Sequence, residues 1–481
     1  MKSRMRSRVI LLLIGSASCF SQAQIKNFTH VVLLVQENRT PDNLFQGLCL
    51  PPYGNSKACG TGFNQYDIAN FGVDNRGNQV KLHEVPLGSK NDPGHSHKNF
   101  NNMCHLDSTT NQCRMDGLLS EGCPTKCSFQ YVHPADVHQY LELAQRYGWA
   151  NSMFQTNQGP SAPAHQFLFG GTSARSEADD AQARFVAENT SDRGCLSPLN
   201  TVWELIDPGH LDEFDLVNNP LGTVCASRDT MATLLDKHVP SVSWKYYSPS
   251  IGIWNAPAWI REICQPDSQY RNCEGTEWKR SLDLNPADVL TDITNCALAD
   301  VSWVIPTGEN SDHPSHSDPA AGGPEWVSSI VNALGKSWEA SGHRCDYWGN
   351  NSNDTTAIII TWDDWGGFYD HRKPPFLSVP SEGQGDYQYG FRVPMLVVSA
   401  YTNPTIDSAN QYDFGSILRF IEQNYGLGEG ALGLADARSH TDLTSFFNLQ
   451  QKPLPFVPVA SPLGADFFIN DKRPMEPPDD D

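Results

Sequence analysis

Two short apolar runs end in the same way, and this pairing constrains the chain more than any other feature. Val31–Val35 reads VVLLV and is followed by Gln36, Glu37 and Asn38. Ile358–Thr361 reads IIIT and is followed, after Trp362, by Asp363 and Asp364. Continuous apolar runs of this length are the pattern of strands buried on both faces of a parallel sheet. Polar residues at a strand end are usually a solvated terminus. Open α/β sheets, however, also place their ligands at the carboxyl ends of their strands. Adjacent carboxylates there repel one another unless a cation or basic group lies between them. Glu37, Asn38, Asp363 and Asp364 together offer the hard oxygen donors that a divalent cation prefers.

Further strand-like runs occur at Val301–Ile305 and Met395–Ser399. Helical patterns lie over Ala135–Gly148, Pro324–Ala333 and Phe414–Tyr425; in the last, Ile417, Phe420 and Ile421 share one face. Strands alternating with helices predict an α/β fold, with a mostly parallel central sheet sandwiched by helices. One such domain is expected over residues 24–450. The stretches near 48–130 and 185–300 are rich in cysteine and poor in periodicity. They are read as disulfide-rich insertions over the carboxyl edge of the sheet. Residues 451–481 are proline-rich and are expected to form an extended C-terminal wrap ending in a loose tail.

Residues 1–23 have the form of a signal peptide, with Lys2, Arg4, Arg6 and Arg8 ahead of the apolar Val9–Ile14 and a small-x-small site at Ser21-Gln22-Ala23. A periplasmic or secreted location follows. No other stretch is long and apolar enough for a membrane helix. Of 13 cysteines, all but Cys19 would remain, an even number, at spacings that match no zinc pattern. In an oxidising compartment they predict up to six disulfides. Connectivity stays open, although short loops favour Cys49–Cys59, Cys104–Cys113 and Cys264–Cys273. The formal charge is −21, with 34 basic against 55 acidic residues, and losing the leader makes it more negative. That excludes a nucleic-acid partner held by a basic surface. An anionic substrate remains possible where metal ions reverse the local field.

Three more segments carry candidate chemistry. Ser161 lies between Gly159-Pro160 and Ala162-Pro163, where a helix begins. A serine there is commonly a cap, but a helix start also stabilises an anion. A serine oxygen coordinated by metal at that place is a strong nucleophile. Asp312, His313 and His316 cluster in a loop after Val301–Ile305, and Asp92, His95 and His97 form a weaker cluster in the first insertion. Ligand-type side chains gathered in a loop make each group a candidate site, beside the plainer reading of structural or surface histidines.

Together these segments resemble a bacterial phosphoesterase family that contains phospholipases C and secreted acid phosphatases, within the alkaline-phosphatase-like superfamily. Its opening E-N-R-S-F-D-x-x-F-G is similar to Glu37-Asn38-Arg39-Thr40-Pro41-Asp42-Asn43-Leu44-Phe45-Gln46-Gly47. Its T-Y-D-E-x-G-G-F-Y-D-H-V-x-P-P is matched from Thr361 to Pro375, its G-x-R-V-P element from Gly390 to Pro394, and its D/E-H-P element by Asp312-His313-Pro314.

The resemblance implies a secreted, metal-dependent phosphoric ester hydrolase. Glu37, Asn38, Asp363 and Asp364 look like the ligands of one divalent metal ion. Ser161 looks like the nucleophile that forms a covalent phosphoenzyme. Asp312, His313 and His95 look like phosphate-binding or proton-transfer groups. His316, Asp370 and His371 are candidates for a second metal or for phosphate contacts. The substrate would be a phosphate ester or a phospholipid. Two departures stand out: the second acid of the metal pair is aspartate rather than glutamate, and Ser161-Ala162-Pro163-Ala164-His165 lacks the family's Asn-Arg pair. A sulfatase-like hydrolase and a non-catalytic, disulfide-rich binding protein are the alternatives.

Overall fold

The computed structural model describes residues 27–478, apart from 111, 118–126, 182–183, 190–192, 198–201, 208–209, 219–224, 315, 319–321, 352–353 and 378–386. The leader read at 1–23 and Cys123 lie outside the described residues. Eight strands form the main sheet: β1 His30–Gln36, β2 Gly148–Ala150, β3 Trp244–Tyr247, β4 Leu282–Asp283, β5 Val301–Val304, β6 Thr356–Trp362, β7 Met395–Val398 and β8 Thr405–Asp407. Their spatial order is β4-β3-β5-β1-β6-β7-β2-β8. β1 is parallel to both β5 and β6, and every residue of β1 and β6 is buried. β7 alone runs against its neighbours, antiparallel to β6 and to β2. The sheet is thus mostly parallel, as expected, with one reversed strand that the apolar run at 395–399 did not reveal.

Five helices matter for the site: α1 His97–Cys104, α2 His138–Arg146, α3 Ser161–Gly170, α4 Gly323–Gly335 and α5 Phe414–Tyr425. Side-chain alternation along the strands decides which face each helix covers. Leu33 pairs with Trp303, and Gln36 with Trp362, so the two tryptophans point to opposite faces. Phe169 of α3 meets Trp303 edge-on at 5.2 Å, and the indole N–H of Trp303 donates to the Leu168 carbonyl. Tyr140 of α2 meets Trp362 at 5.2 Å on the other face. Helices therefore cover both faces, and nearly all the buried apolar side chains form one core.

The insertions are more integrated than their composition suggests. The stretch 185–300 also supplies β3 and β4 to the main sheet. The first insertion has a small core of its own, in which Phe100, Met103 and Phe129 pack with Trp365, Tyr369 and Phe391. Ten of the described cysteines form Cys49–Cys59, Cys104–Cys113, Cys195–Cys225, Cys264–Cys273 and Cys296–Cys345. The three short-loop pairs are as expected. The C-terminal segment runs along α4: Val459 exchanges two hydrogen bonds with Asn332, and Phe468 packs on Trp326. Among the described residues no helix is long and apolar enough to cross a membrane.

Candidate active site

The register of β1 against β6 builds the site. Gln36 pairs with Trp362, so the next residues of both strands emerge side by side. The Asp363 N–H donates to the Gln36 carbonyl at 2.9 Å, and the Arg39 N–H to the Asp364 carbonyl at 3.0 Å. Between them the Asn38 N–H donates to Asp363 Oδ1 at 3.0 Å. Asn38 sits in the left-handed region at φ 60°, which asparagine tolerates better than most residues. Gly366, at φ 59°, lies against it: a Cβ there would meet the Asn38 carbonyl oxygen at 2.3 Å. The Gly-Gly turn thus lets the second loop fold over the first.

Glu37 and Asp363 are both buried. Burial, and then the neighbouring Glu37, push the Asp363 carboxyl up to about 7, while His165 and the Ser161 hydroxyl pull it down. Two carboxylates held this closely away from water need a positive charge or a proton. Asn38 is oriented by a histidine. His95 Nδ1 donates to the Pro93 carbonyl at 3.1 Å, which leaves its Nε2 to accept from Asn38 Nδ2 at 3.2 Å. The amide N–H is therefore directed at His95. The buried Asn38 Oδ1 has no hydrogen-bond partner. An unsatisfied buried oxygen beside two carboxylates is the donor set of a divalent cation. Glu37, Asn38 and Asp363 fit such an ion on these grounds, while Asp364 accepts from the Gly366 N–H at 2.6 Å and from the Ser161 hydroxyl at 3.3 Å.

Ser161 is the first residue of α3. Pro160 holds the cap position and makes no side-chain cap bond. Pro163 costs the helix nothing, because first-turn N–H groups lack intrahelical partners. The Ser161 hydroxyl donates to Asp364 Oδ2 at 3.3 Å. One turn on, His165 Nε2 lies 3.6 Å from Glu37 Oε1 and 3.9 Å from Asp363 Oδ2. The sequence reading noted His165 only as a departure from the family pattern. The i, i+4 spacing from Ser161, which puts both side chains on one helix face, was the signal available.

The other predicted residues divide into two groups. His313 is buried, its ring 6.2 Å from that of His95 and 5.1 Å from that of His316. Its Nδ1 donates to the Pro314 carbonyl at 2.6 Å, which makes Nε2 the proton-accepting nitrogen. Asp312 Oδ2 instead accepts from Tyr140 and from the Trp362 indole, both at 2.9 Å, on the face opposite α3. Burial pushes the Asp312 carboxyl up to about 6, against the pull of Arg39 and these two donors. Asp370 and His371 join a separate network. Arg392 reaches Asp370 Oδ2 at 2.9 Å and Asp42 Oδ1 at 3.3 Å. His371 spans Asp42 and Asp67 at 2.8 and 3.0 Å, and Arg372 meets Asp67 at 2.6 Å. Burial opposes the His371 charge, yet Asp42 and Asp67 hold its pKa at about 10. Its carboxylates are thus matched by protein cations.

The sequence model of the Phosphoesterase family matches residues 28–428. The chain belongs to the Phosphoesterase family. Within reach of this family's sequences, the non-hemolytic phospholipase C of Pseudomonas aeruginosa is 24% identical, with 94% of this chain and 62% of that protein covered. The hemolytic phospholipase C of the same organism is 22% identical over 71% of this chain and 45% of its own length. This Phosphoesterase family chain therefore spans less than two thirds of those relatives. A crystal structure of a protein in the alkaline phosphatase superfamily from Vibrio parahaemolyticus is 12% identical, covers 86% of this chain and 70% of its own, and has a TM-score of 0.33.

Proposed function

We propose that the chain is an exported, metal-dependent phosphoric ester hydrolase that works through Ser161 and a covalent phosphoserine. The observation that carries this reading is the position of the Ser161 hydroxyl. It lies at the start of a ten-residue helix and 3.3 Å from one of the paired carboxylates that end β6. Glu37, Asn38, Asp363 and Asp364 would hold the divalent cation, which when bound supplies Lewis acidity that lowers the serine pKa and offsets charge on the non-bridging oxygens. Ser161 gives its hydroxyl proton to Asp364 Oδ2, 3.3 Å away, and Oγ attacks phosphorus in line as the bond to the leaving alcohol breaks. The N-terminal N–H groups of α3 stabilise the anionic phosphoryl group. His313, its Nδ1 held by the Pro314 carbonyl, enters the step as the imidazolium, gives its Nε2 proton to the leaving oxygen, and takes a proton back on Nε2 from the water that attacks next. Water then attacks phosphorus, the P–Oγ bond breaks, and the serine hydroxyl is restored.

The relatives named phospholipase C favour a phospholipid over a simple phosphomonoester as substrate. The test is hydrolysis of p-nitrophenyl phosphate, its phosphorylcholine diester and phosphatidylcholine vesicles, each with and without chelator. Chelator-sensitive release of phosphorylcholine from vesicles is expected. Turnover that survives complete metal removal would overturn the metal requirement, and no turnover of any of the three would overturn the hydrolase reading.

A further inference from the structure

The oxygen donors so far assigned to the cation come from two strand ends, yet the helix that carries Ser161 brings a nitrogen to the same place. We propose that His165 Nε2 is a direct ligand of the metal ion, so that the site selects a borderline transition ion of the zinc kind over Mg2+ and Ca2+. This rests on the metal-dependent reading given above.

Donor atoms of Glu37, His165 and Asp363 all lie within 4.8 Å of one another. The separations of 3.6 and 3.9 Å from His165 Nε2 to the two carboxylates exceed a hydrogen bond. They are close to the spacing of two ligands of one ion: with bonds of about 2.0–2.2 Å, equatorial ligands of a five-coordinate shell lie about 3.5–3.8 Å apart. The side chain is 1% exposed and the carboxylates are fully buried. The placement follows from the fold. Glu37 and Asp363 continue the alternation of β1 and β6 on the Leu33 face, the face that α3 covers. His165 follows Ser161 by four residues, on the same side of α3. A ligand set of oxygens alone suits Mg2+, Ca2+ or Mn2+, whereas an imidazole shifts preference toward Zn2+ and its neighbours.

The rival role is a counter-cation, an imidazolium that neutralises Glu37 and Asp363 and must give way when metal enters. The two roles predict opposite signs. The full-length protein, stripped of metal, is titrated separately with Zn2+, Mn2+, Mg2+ and Ca2+ by calorimetry, as wild type, His165→Gln and Glu37→Gln. A ligand role predicts that His165→Gln weakens Zn2+ binding by about 100-fold or more, beyond the loss typical of an outer-shell partner, and narrows the preference for Zn2+ over Mg2+. Unchanged or tighter binding of all four ions to His165→Gln, with Glu37→Gln weakened, overturns the proposal and leaves the metal site standing. A wild-type protein that takes up no ion stoichiometrically overturns both. Because His165 is buried and its variant could misfold, X-ray absorption of the zinc-loaded wild type gives an independent answer. Imidazole scattering in the first shell is expected, and a shell of oxygen alone overturns the proposal.

Discussion

Ser161 and Asp364 are joined by a hydrogen bond of 3.3 Å between a helix start and a strand end that are 203 residues apart in sequence. The serine hydroxyl is thereby held against the carboxylate pair by a contact that no helix cap requires. Pro160, not Ser161, occupies the cap position. Ser161→Ala should therefore leave the fold intact and reduce kcat by at least about 10³-fold, the scale seen when a nucleophile is removed. Activity within about tenfold of wild type would return Ser161 to a structural role. Circular dichroism and steady-state kinetics on the same preparation decide it.

Arg392 ties the loop after β1 to the loop after β6 through Asp42 and Asp370. Its guanidinium and both carboxylates are fully buried. Replacing Arg392 with methionine leaves the acids unpaired, a change that costs about 3–5 kcal/mol for buried pairs. Both ligand-bearing loops should loosen, so metal affinity and unfolding free energy fall together. A variant with unchanged stability but lower activity would instead place Arg392 at the substrate.

At Gly366 the expected defect is local. Alanine there must adopt φ 59° and would drive its Cβ to within 2.3 Å of the Asn38 carbonyl oxygen and 2.6 Å of the Asn38 Cβ. The left-handed conformation alone costs about 1–3 kcal/mol, and the clash displaces Asn38. Gly366→Ala should lower metal affinity at least tenfold, measured by calorimetry on folded protein. Gly342→Ala, at φ 66° with no atom near its Cβ, is the control. Equal metal affinity in the two variants would mean that Asn38 is not a ligand.

A pH effect on stability is expected far from the site. Burial, and then the neighbouring Asp436, push Glu422 on α5 up from 4.5 to about 8. The folded state therefore holds a proton that the unfolded chain releases near its ordinary value. The stabilisation is complete below about pH 4.5 and is lost as pH rises through 8. Glu422→Gln keeps the shape and cannot ionise. Its melting temperature should gain on that of wild type as pH is raised from about 5 to about 8. A difference that stays constant, or changes in the other direction, would show that the pair shares no proton.

Much of this site was legible because its residues follow from local grammar. A buried strand announces itself as an apolar run, and what ends it stands at the sheet's edge, so Glu37, Asn38, Asp363 and Asp364 could be placed together. Ser161 was legible from prolines and glycine around a helix start. His165 was not, because a histidine inside an apolar helix has the composition of a core residue until the facing strands are known. The direction of β7 was hidden for a related reason: a strand buried on both faces reads the same either way. β3 and β4 escaped notice because they are only four and two residues long in a cysteine-rich stretch. Asp312 and His313 looked equivalent in sequence, and adjacent side chains in fact diverge, with the Asp312 carboxylate committed to Tyr140 and Trp362.

The Cys296–Cys345 bond encloses β5, the segment bearing Asp312, His313 and His316, and α4 in one covalent ring. A single cut by a protease anywhere in that ring yields two pieces that stay attached. Such nicked protein would migrate as one species on a denaturing gel without reductant and separate only when thiol is added. A molecule exposed to proteases could therefore carry a broken backbone near His313 and still keep the fragments in place.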